Sequence, residues 1–472
     1  MKKLDKQLVF EKLRKKYPVF VYENYSFTIN ESRFDAQFRF SVPGEFLFEP
    51  TISIPYKKFC IPFHEITKKH SKIIENIVFH IGMIELVSYW KATCSPKVYI
   101  KPAFLSGEQL LWWKKLYYKG LGEFFYLNSI NTSQGEFMEI ETSDGNEMEF
   151  LHLDLADNYL VPIGGGKDSV VTLEILKEYN YSTIPVIVNP RGASLNTTEK
   201  SGFHRDEIFE VYRTIHPQLL ELNKKGFLNG HTPFSALLAF ISLLSALLTG
   251  NKHIALSNES SSNEATVMGT DINHQYSKSF EFEKDFNFYI NKYFSGSFNY
   301  FSFLRPLNEL QIASIFSSFP KYFPVFKSCN VGSKTDSWCG KCPKCLFAFI
   351  ILSPFIAYEK LVWIFDNKDL LNDKDLLPYF SELSGMVQIK PFECVGTTDE
   401  VNLAMQMFIE NNIFDKLPYL ADYYYKNYYQ KTKNNIDRNT ILYNLEKEHL
   451  LNPILFSQLK SRLNERLSAK NS

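Results

Sequence analysis

Charge of one sign is the first thing this chain lacks. It has 52 Lys and Arg against 52 Asp and Glu, a formal net charge of zero. A zero total offers no broad attraction to nucleic acid or to an anionic membrane surface, so neither is expected as a partner. Long apolar runs are lacking too. Phe234 to Leu248 and Leu346 to Tyr358 are the longest, and both fall short of the roughly 20 residues that a membrane span needs. They read as buried helices. The opening stretch MKKLDKQLVFEKLRKKYPVF is basic but has no apolar core and no small-residue cleavage site, so no signal peptide is expected. Internal repeats and low-complexity linkers are also missing. Cysteine is scarce and uneven: there are seven, four of them between positions 329 and 345. That distribution argues against a disulfide scaffold and suits a reducing compartment with a metal site. A cytoplasmic protein is expected.

What is present bounds the fold. A chain of 472 residues with 45% apolar content can hold large cores in two or three domains. The 42 Phe and 27 Tyr are accounted for by such cores. Residues 1–150 carry alternating runs, SFTINESRFDAQFRFSV (26–42) and EFMEIET (136–142), around a helical stretch at 72–94. They are expected to form an α+β domain that holds the substrate. His80 falls on the apolar helix and reads as a satisfied core histidine. GLGEFFYLNSI (120–130) sets glycines beside aromatics and reads equally as a turn or as the border of a site.

Residues 151–365 alternate strand and helix, with strands at 159–163, 183–190 and 252–259 and helices at 216–226 and 229–250. Such alternation predicts an α/β domain with a mostly parallel sheet. Ligands bind such sheets at the carboxyl ends of the strands. That places Gly164 to Ser169, Asn189, Ser257, Asn258 and Glu259 on one rim. Residues 366–472 are rich in helix formers and are expected to be mostly helical, including 417–431 and 438–451.

The stretch NYLVPIGGGKDSVVTLEILKE (158–178) organises the chain. Gly164, Gly165 and Gly166 stand between a strand and a helix, followed by Lys167, Asp168 and Ser169. Glycines let backbone approach a ligand closely, and a helix start offers free N–H groups and a positive dipole end to phosphate. The order is not the G-x-x-x-x-G-K-[ST] of a Walker A loop. It matches the pyrophosphate loop S-G-G-x-D-S of the ATP pyrophosphatases, with Gly164 in place of the first serine. One hydroxyl donor is therefore missing. On this match Gly164 to Gly166 and Ser169 are expected to contact phosphates, and Asp168 to help hold magnesium.

The four clustered cysteines are Cys329, Cys339, Cys342 and Cys345, in the spacing C-x9-C-x2-C-x2-C. Two overlapping C-x2-C turns aim three thiolates at one point, and Cys329 can return as the fourth. Four sulfurs in a tetrahedron make a closed structural zinc site. An iron–sulfur cluster is the alternative.

Taken together these motifs resemble the deazaguanine nitrile synthases, which activate a carboxylate with ATP. The surrounding segments are closer to another family. VPIGGGKDS, LNGHTP (228–233), LSNE (256–259), NHQYSKSFEFE (273–283), FLRPLNEL (303–310), WCGKCPKC (338–345) and KPFECVG (390–396) resemble the ATP-dependent UDP-N-acetylmuramoyl-L-alanyl-L-glutamate epimerases of cell-wall synthesis. The resemblance runs from about 75 to 400. It implies a pyrophosphate-loop (adenine nucleotide alpha hydrolase-like) domain and the substrate UDP-MurNAc-L-Ala-L-Glu. It further implies ATP and magnesium as co-substrate and cofactor, AMP and diphosphate as products, and functional coupling to the ligase that adds L-Glu. Inversion requires proton transfer on both faces of a carbon. The candidates are Cys394, His231, His274, Glu259 and Asp271. Arg305, Lys278 and Lys390 are the expected partners of carboxylate or phosphate oxygens. An amidating or tRNA-modifying pyrophosphatase, and a zinc-stabilised nucleotide sensor, are the competing functions.

Overall fold

A computed structural model describes residues 6–267, 269–270, 272–412 and 415–468. The chain is mixed α/β with a helical C-terminal region. It divides into two compact units that are discontinuous in sequence: 1–160 with 209–254 and 272–299, and 161–208 with 255–271 and 300–472. This division differs from three consecutive segments, because 209–254 and 272–299 fold with the N-terminal residues.

In the first unit the strands follow the order Phe209–Arg213, Thr51–Pro55, Arg33–Val42, Val19–Ile29, Lys97–Ile100 and Glu139–Thr142. Alternation makes these strands: Phe34, Ala36, Phe38 and Phe40 all point inward and are buried. Val19–Ile29 and Arg33–Val42 form an antiparallel hairpin, with Ile29 opposite Phe34. Its turn is held by the Asn30 side chain, which accepts from the backbone N–H of Ser32 and Arg33. The helix Phe63–Trp90 packs on Val19–Ile29 and against the helix Phe234–Thr249. By length and composition this 28-residue helix could cross a membrane, but 89% of its most apolar window is buried inside the protein. A Cβ at Gly82 would lie 1.9 Å from the Tyr22 hydroxyl, so only glycine lets this helix sit on the strand. His80 is a satisfied core histidine: its ring nitrogens lie 2.8 Å from Asn76 O and from the Tyr289 hydroxyl. Burial lowers its pKa to about 3.

The strands Ala156–Pro162 and Asn251–Leu256 run parallel, with Ile254 opposite Leu160. In the second unit Ile163 N–H donates to Val186 O at the end of the strand Thr183–Val188, and Phe303 N–H donates to Leu256 O. The helix Lys167–Glu178 packs on Glu309–Phe316, and Pro343–Leu352 packs on Thr398–Asn411. The tyrosine-rich stretch forms two helices, Tyr419–Asn427 and Tyr429–Lys433. The helix expected over 438–451 is shorter, Arg438–Tyr443. Side chains of a neighbouring helix stop it. Asn308 donates to Ile441 O, and Gln311 donates to Leu442 O and Asn444 O, while Glu446 N–H turns away to Pro306 O. The last helix, Pro453–Ser468, buries Leu455, Leu459, Leu463 and Leu467 at helical spacing.

Candidate functional site

The glycine loop joins the end of the strand Ala156–Pro162 to the start of the helix Lys167–Glu178. Its three glycines face different surroundings. Nothing lies within 4 Å of a Cβ built on Gly164, which leaves that side of the loop open. Gly165 has φ +87, and a Cβ there would meet Ala193 C and Ser194 N at 2.6 Å. Only glycine fits such a position. Its carbonyl accepts from Lys327 N–H at 2.9 Å. Gly166 is the N-cap of the helix and brings no side chain to the first N–H groups. Buried Ser169 donates to Gly166 O at 3.2 Å. Asn189 follows the strand Thr183–Val188 with φ +51. The Ser257 hydroxyl donates to Thr172 at 2.8 Å, and Asn258 donates to the Ser302 hydroxyl at 3.1 Å.

Behind the loop lies a buried ionic network. The Lys167 ammonium reaches the Asp168 carboxylate at 2.5 Å and also pairs with Glu309. Both Lys167 and Glu309 are almost fully buried. Burial, then the charges of Asp168 and Glu259, push the Glu309 carboxyl well above its usual range, against the pull of Lys167. Desolvation works against the Lys167 charge, but Asp168 and Glu309 outweigh it and raise that pKa. Glu309 opens its helix behind an Asn308 capping box, so helix and carboxylate are fixed together.

Arg305 is fully buried. Its guanidinium donates to Glu259 O at 2.6 Å, to the Ser262 hydroxyl at 2.8 Å and to the Ser302 hydroxyl at 3.3 Å, bracing the segment that carries Glu259. Glu400 caps its own helix by accepting from Thr397 N–H, and it also accepts from the Ser261 hydroxyl at 2.5 Å. Burial chiefly raises its pKa to about 7. Buried Lys390 pairs with Glu264 at 2.5 Å. Cys394 is half-buried on the same segment. Two residues on, a Cβ at Gly396 would meet Glu400 Oε2 at 2.1 Å and the Glu309 stem at 3.2 Å. The Cys394 segment therefore rests on the stem of Glu309, the residue that pairs with Lys167.

The four cysteine sulfurs all lie within 4.8 Å of one another. Cys329 and Cys342 are 3.9 Å apart, Cys339 and Cys345 3.7 Å, and Cys342 and Cys345 3.4 Å. Sulfurs bonded at about 2.3 Å to one tetrahedral centre stand about 3.8 Å apart, so the spacing fits a single ion. Backbone N–H groups of Gly332, Lys341 and Cys345 point at Cys329, Cys339 and Cys342.

In the first unit His231 and His274 come together with their ring centroids 4.4 Å apart. Glu123 joins them, its Oε2 lying 2.5 Å from His274 Nδ1 and 3.6 Å from His231 Nδ1. Burial, then His274, lower the His231 pKa to about 4, with Lys91 and Lys278 acting in the same direction. Lys278 is half-buried on a short turn of helix, Tyr276–Lys278. Asp271 lies outside the described residues.

Three carboxylates escaped the sequence reading. Glu309 sits in FLRPLNEL, where Asn308 with Gln311 just beyond the stretch already spells a capping box. Glu123 sits in the GLGEFF stretch. Glu400 follows Thr397 at capping-box spacing. In each case the local pattern was visible, and only the fold reveals what the carboxylate meets.

Loop, ionic network and sulfur cluster define a class: α/β proteins that join a helix-opening glycine loop to a four-cysteine cluster. Within it the assignment is specific. The MurL N-terminal domain family matches residues 11–303 and the MurL C-terminal domain family matches 325–437, so the chain belongs to the MurL family. Three relatives are named UDP-N-acetyl-alpha-D-muramoyl-L-alanyl-L-glutamate epimerase. That of Xanthomonas oryzae pv. oryzae is 31% identical over 81% of this chain and 85% of its own length. That of a Micromonospora species is 32% identical over 83% and 88%, and that of Salinispora tropica 31% over 87% and 89%.

Proposed function

We propose that this protein is a cytoplasmic ATP-dependent epimerase. It would invert the terminal L-glutamate of UDP-MurNAc-L-Ala-L-Glu to D-glutamate, acting in peptidoglycan synthesis after the ligase that adds L-Glu. The substrate follows from the names of relatives covered over more than four-fifths of their length. The observation that carries the chemistry is the open glycine loop backed by the Asp168–Lys167–Glu309 network.

A free carboxylate makes its α-proton very hard to remove, because the product anion would carry two adjacent negative charges. Transfer of AMP from ATP to that carboxylate, with diphosphate leaving, converts it to an acyl adenylate whose carbonyl carries no charge, the remaining charge lying on the phosphate. The α-carbanion then delocalises into the carbonyl as an enolate. Each unit of acidity gained lowers the barrier by about 1.4 kcal/mol. The helix start at Gly166 and the Ser169 hydroxyl would hold phosphate oxygens, and Asp168 would hold magnesium, which would offset charge on the diphosphate. Lys167 keeps this acidic pocket from repelling the nucleotide.

Cys394 is assigned as the first base, because its segment rests on Glu309. Glu259, buried in the same unit on the segment that Arg305 braces, is the second candidate, to return a proton on the other face. Water then hydrolyses the adenylate. The four-cysteine cluster is a structural zinc site, since four protein ligands leave no position for water.

Asp168→Ala should abolish AMP formation in the presence of ATP, magnesium and substrate while leaving the melting temperature close to wild type. Cys394→Ser should keep AMP release and lose α-proton exchange by at least tenfold. Full AMP formation by Asp168→Ala would remove the loop from the mechanism. Unchanged exchange in Cys394→Ser would remove the thiol.

A further inference from the structure

One cluster of ligating side chains has no part in the reaction just described. Glu123, His231 and His274 each bring a ligand atom to within 4.8 Å of the other two. We infer that they hold a divalent transition-metal ion of the zinc type, in a site that shares no residue with the glycine loop or the four cysteines.

The cluster is built by three segments that chain order keeps far apart, and close backbone packing brings two of them together. A Cβ at Gly120 would stand 2.7 Å from the Pro233 ring, and one at Gly230 would stand 3.1 Å from the Phe124 ring. The two glycines therefore let the segment carrying Glu123 and the segment carrying His231 interlock. His274 arrives from the third segment, two residues before the Tyr276–Lys278 turn. All three side chains are partly accessible, at 12%, 25% and 11% for Glu123, His231 and His274. An ion can therefore enter.

The donor set selects the metal. Two imidazoles and one carboxylate suit zinc and its first-row neighbours, whereas magnesium and calcium prefer oxygen alone. His231 Nδ1 and Glu123 Oε2, at 3.6 Å, already have the separation of two donors on one tetrahedral ion. His274 Nδ1 and the same oxygen, at 2.5 Å, share a hydrogen bond. An ion would displace that proton, and the pair would open to about 3.4 Å. Binding should therefore release protons.

Three protein ligands leave a fourth position open. The neighbouring charges say what belongs there. Lys91 donates its ammonium to Gly230 O, next to His231, at 2.6 Å, and Lys278 ends the Tyr276–Lys278 turn that follows His274. Two ammonium groups oppose a bare cation but favour one that carries an anionic oxygen. The fourth ligand is therefore a carboxylate or phosphate oxygen.

Metal content of the full chain tests this. Wild type, Glu123→Gln and the double variant His231→Ala/His274→Ala are each loaded with zinc, dialysed free of loose metal and analysed for zinc per chain. Wild type should hold one more zinc per chain than either variant. The four cysteines are intact in all three proteins, so the difference does not depend on how that cluster is filled or on whether the epimerase reading stands. Loaded with cobalt, the wild-type-minus-variant spectrum should show ligand-field bands without thiolate charge transfer. Glu123→Gln keeps the side-chain shape and carries the test should the double variant fail to fold. Equal zinc content in wild type and Glu123→Gln would overturn the site.

Discussion

Glu400 shows how one side chain can be strongly perturbed and still do structural work. Its two oxygens accept from Thr397 N–H and the Ser261 hydroxyl, and its surroundings include Glu259 and Lys390. Burial dominates and raises its pKa from 4.5 to about 7. The folded state therefore holds a proton that the unfolded state releases. The resulting stabilisation is complete below about pH 4.5 and is lost as pH rises through about 7. Glu400→Gln keeps the cap and removes the titration. Across that interval the wild-type melting temperature should fall relative to the variant's, and parallel profiles would show that Glu400 does not titrate there. The perturbed group most tempting as a catalytic acid is thus one whose shift burial already explains and whose hydrogen bonds are structural. Glu309, by contrast, is tied to the loop lysine itself.

At the scale of elements, the helix Glu309–Phe316 links the loop lysine to the C-terminal segment within the second unit. Its first residue pairs with Lys167, and its far side is clamped by the segment beyond residue 437. Gln311 holds Leu442 O and Asn444 O, and Arg466 donates to Ser314 O at 2.9 Å. Matches to the family end at 437, so this clamp lies outside the family-defining region. Removing 438–472 should lower the melting temperature and raise the KM for ATP several-fold with a smaller loss of kcat, because Glu309 would no longer be held against Lys167. Steady-state kinetics on the truncated chain checks this, and an unchanged KM would separate the clamp from the loop.

Elements of this kind were unevenly legible in the sequence. The strand, glycine loop and helix around 164–169 could be read because local chemistry dictates them: an apolar run, a turn that tolerates φ > 0, then helical spacing. The same holds for Phe234–Thr249, whereas the run 26–42, read as one alternating stretch, is split by the turn at Asn30 into two paired strands. What could not be read is long-range pairing. Phe209–Arg213 pairs with Thr51–Pro55, Ile52 standing opposite Arg213. No local pattern announces a partner so distant in sequence, and the discontinuous units follow from it. Glu123 stayed hidden for the same reason: its meaning is the two histidines, 108 and 151 positions away from it (231 − 123 and 274 − 123). The helix expected over 438–451 ended early because side chains from Asn308 and Gln311 took its carbonyls.

For the whole molecule the proposed function rests on one chemical step: inversion of glutamate would be driven by activating its carboxylate at the glycine loop. Hydrolysis of the adenylate would couple each inversion to ATP, so the product ratio could pass the near-even mixture that an uncoupled racemase gives. The most direct measurement runs the reaction in heavy water with ATP, magnesium and UDP-MurNAc-L-Ala-L-Glu, following α-deuterium in the D-glutamyl product and AMP together. The account predicts one deuterium at the α-carbon of each product molecule, with AMP appearing in step. D-glutamyl product that retains its original α-hydrogen, or that forms without AMP, would contradict it.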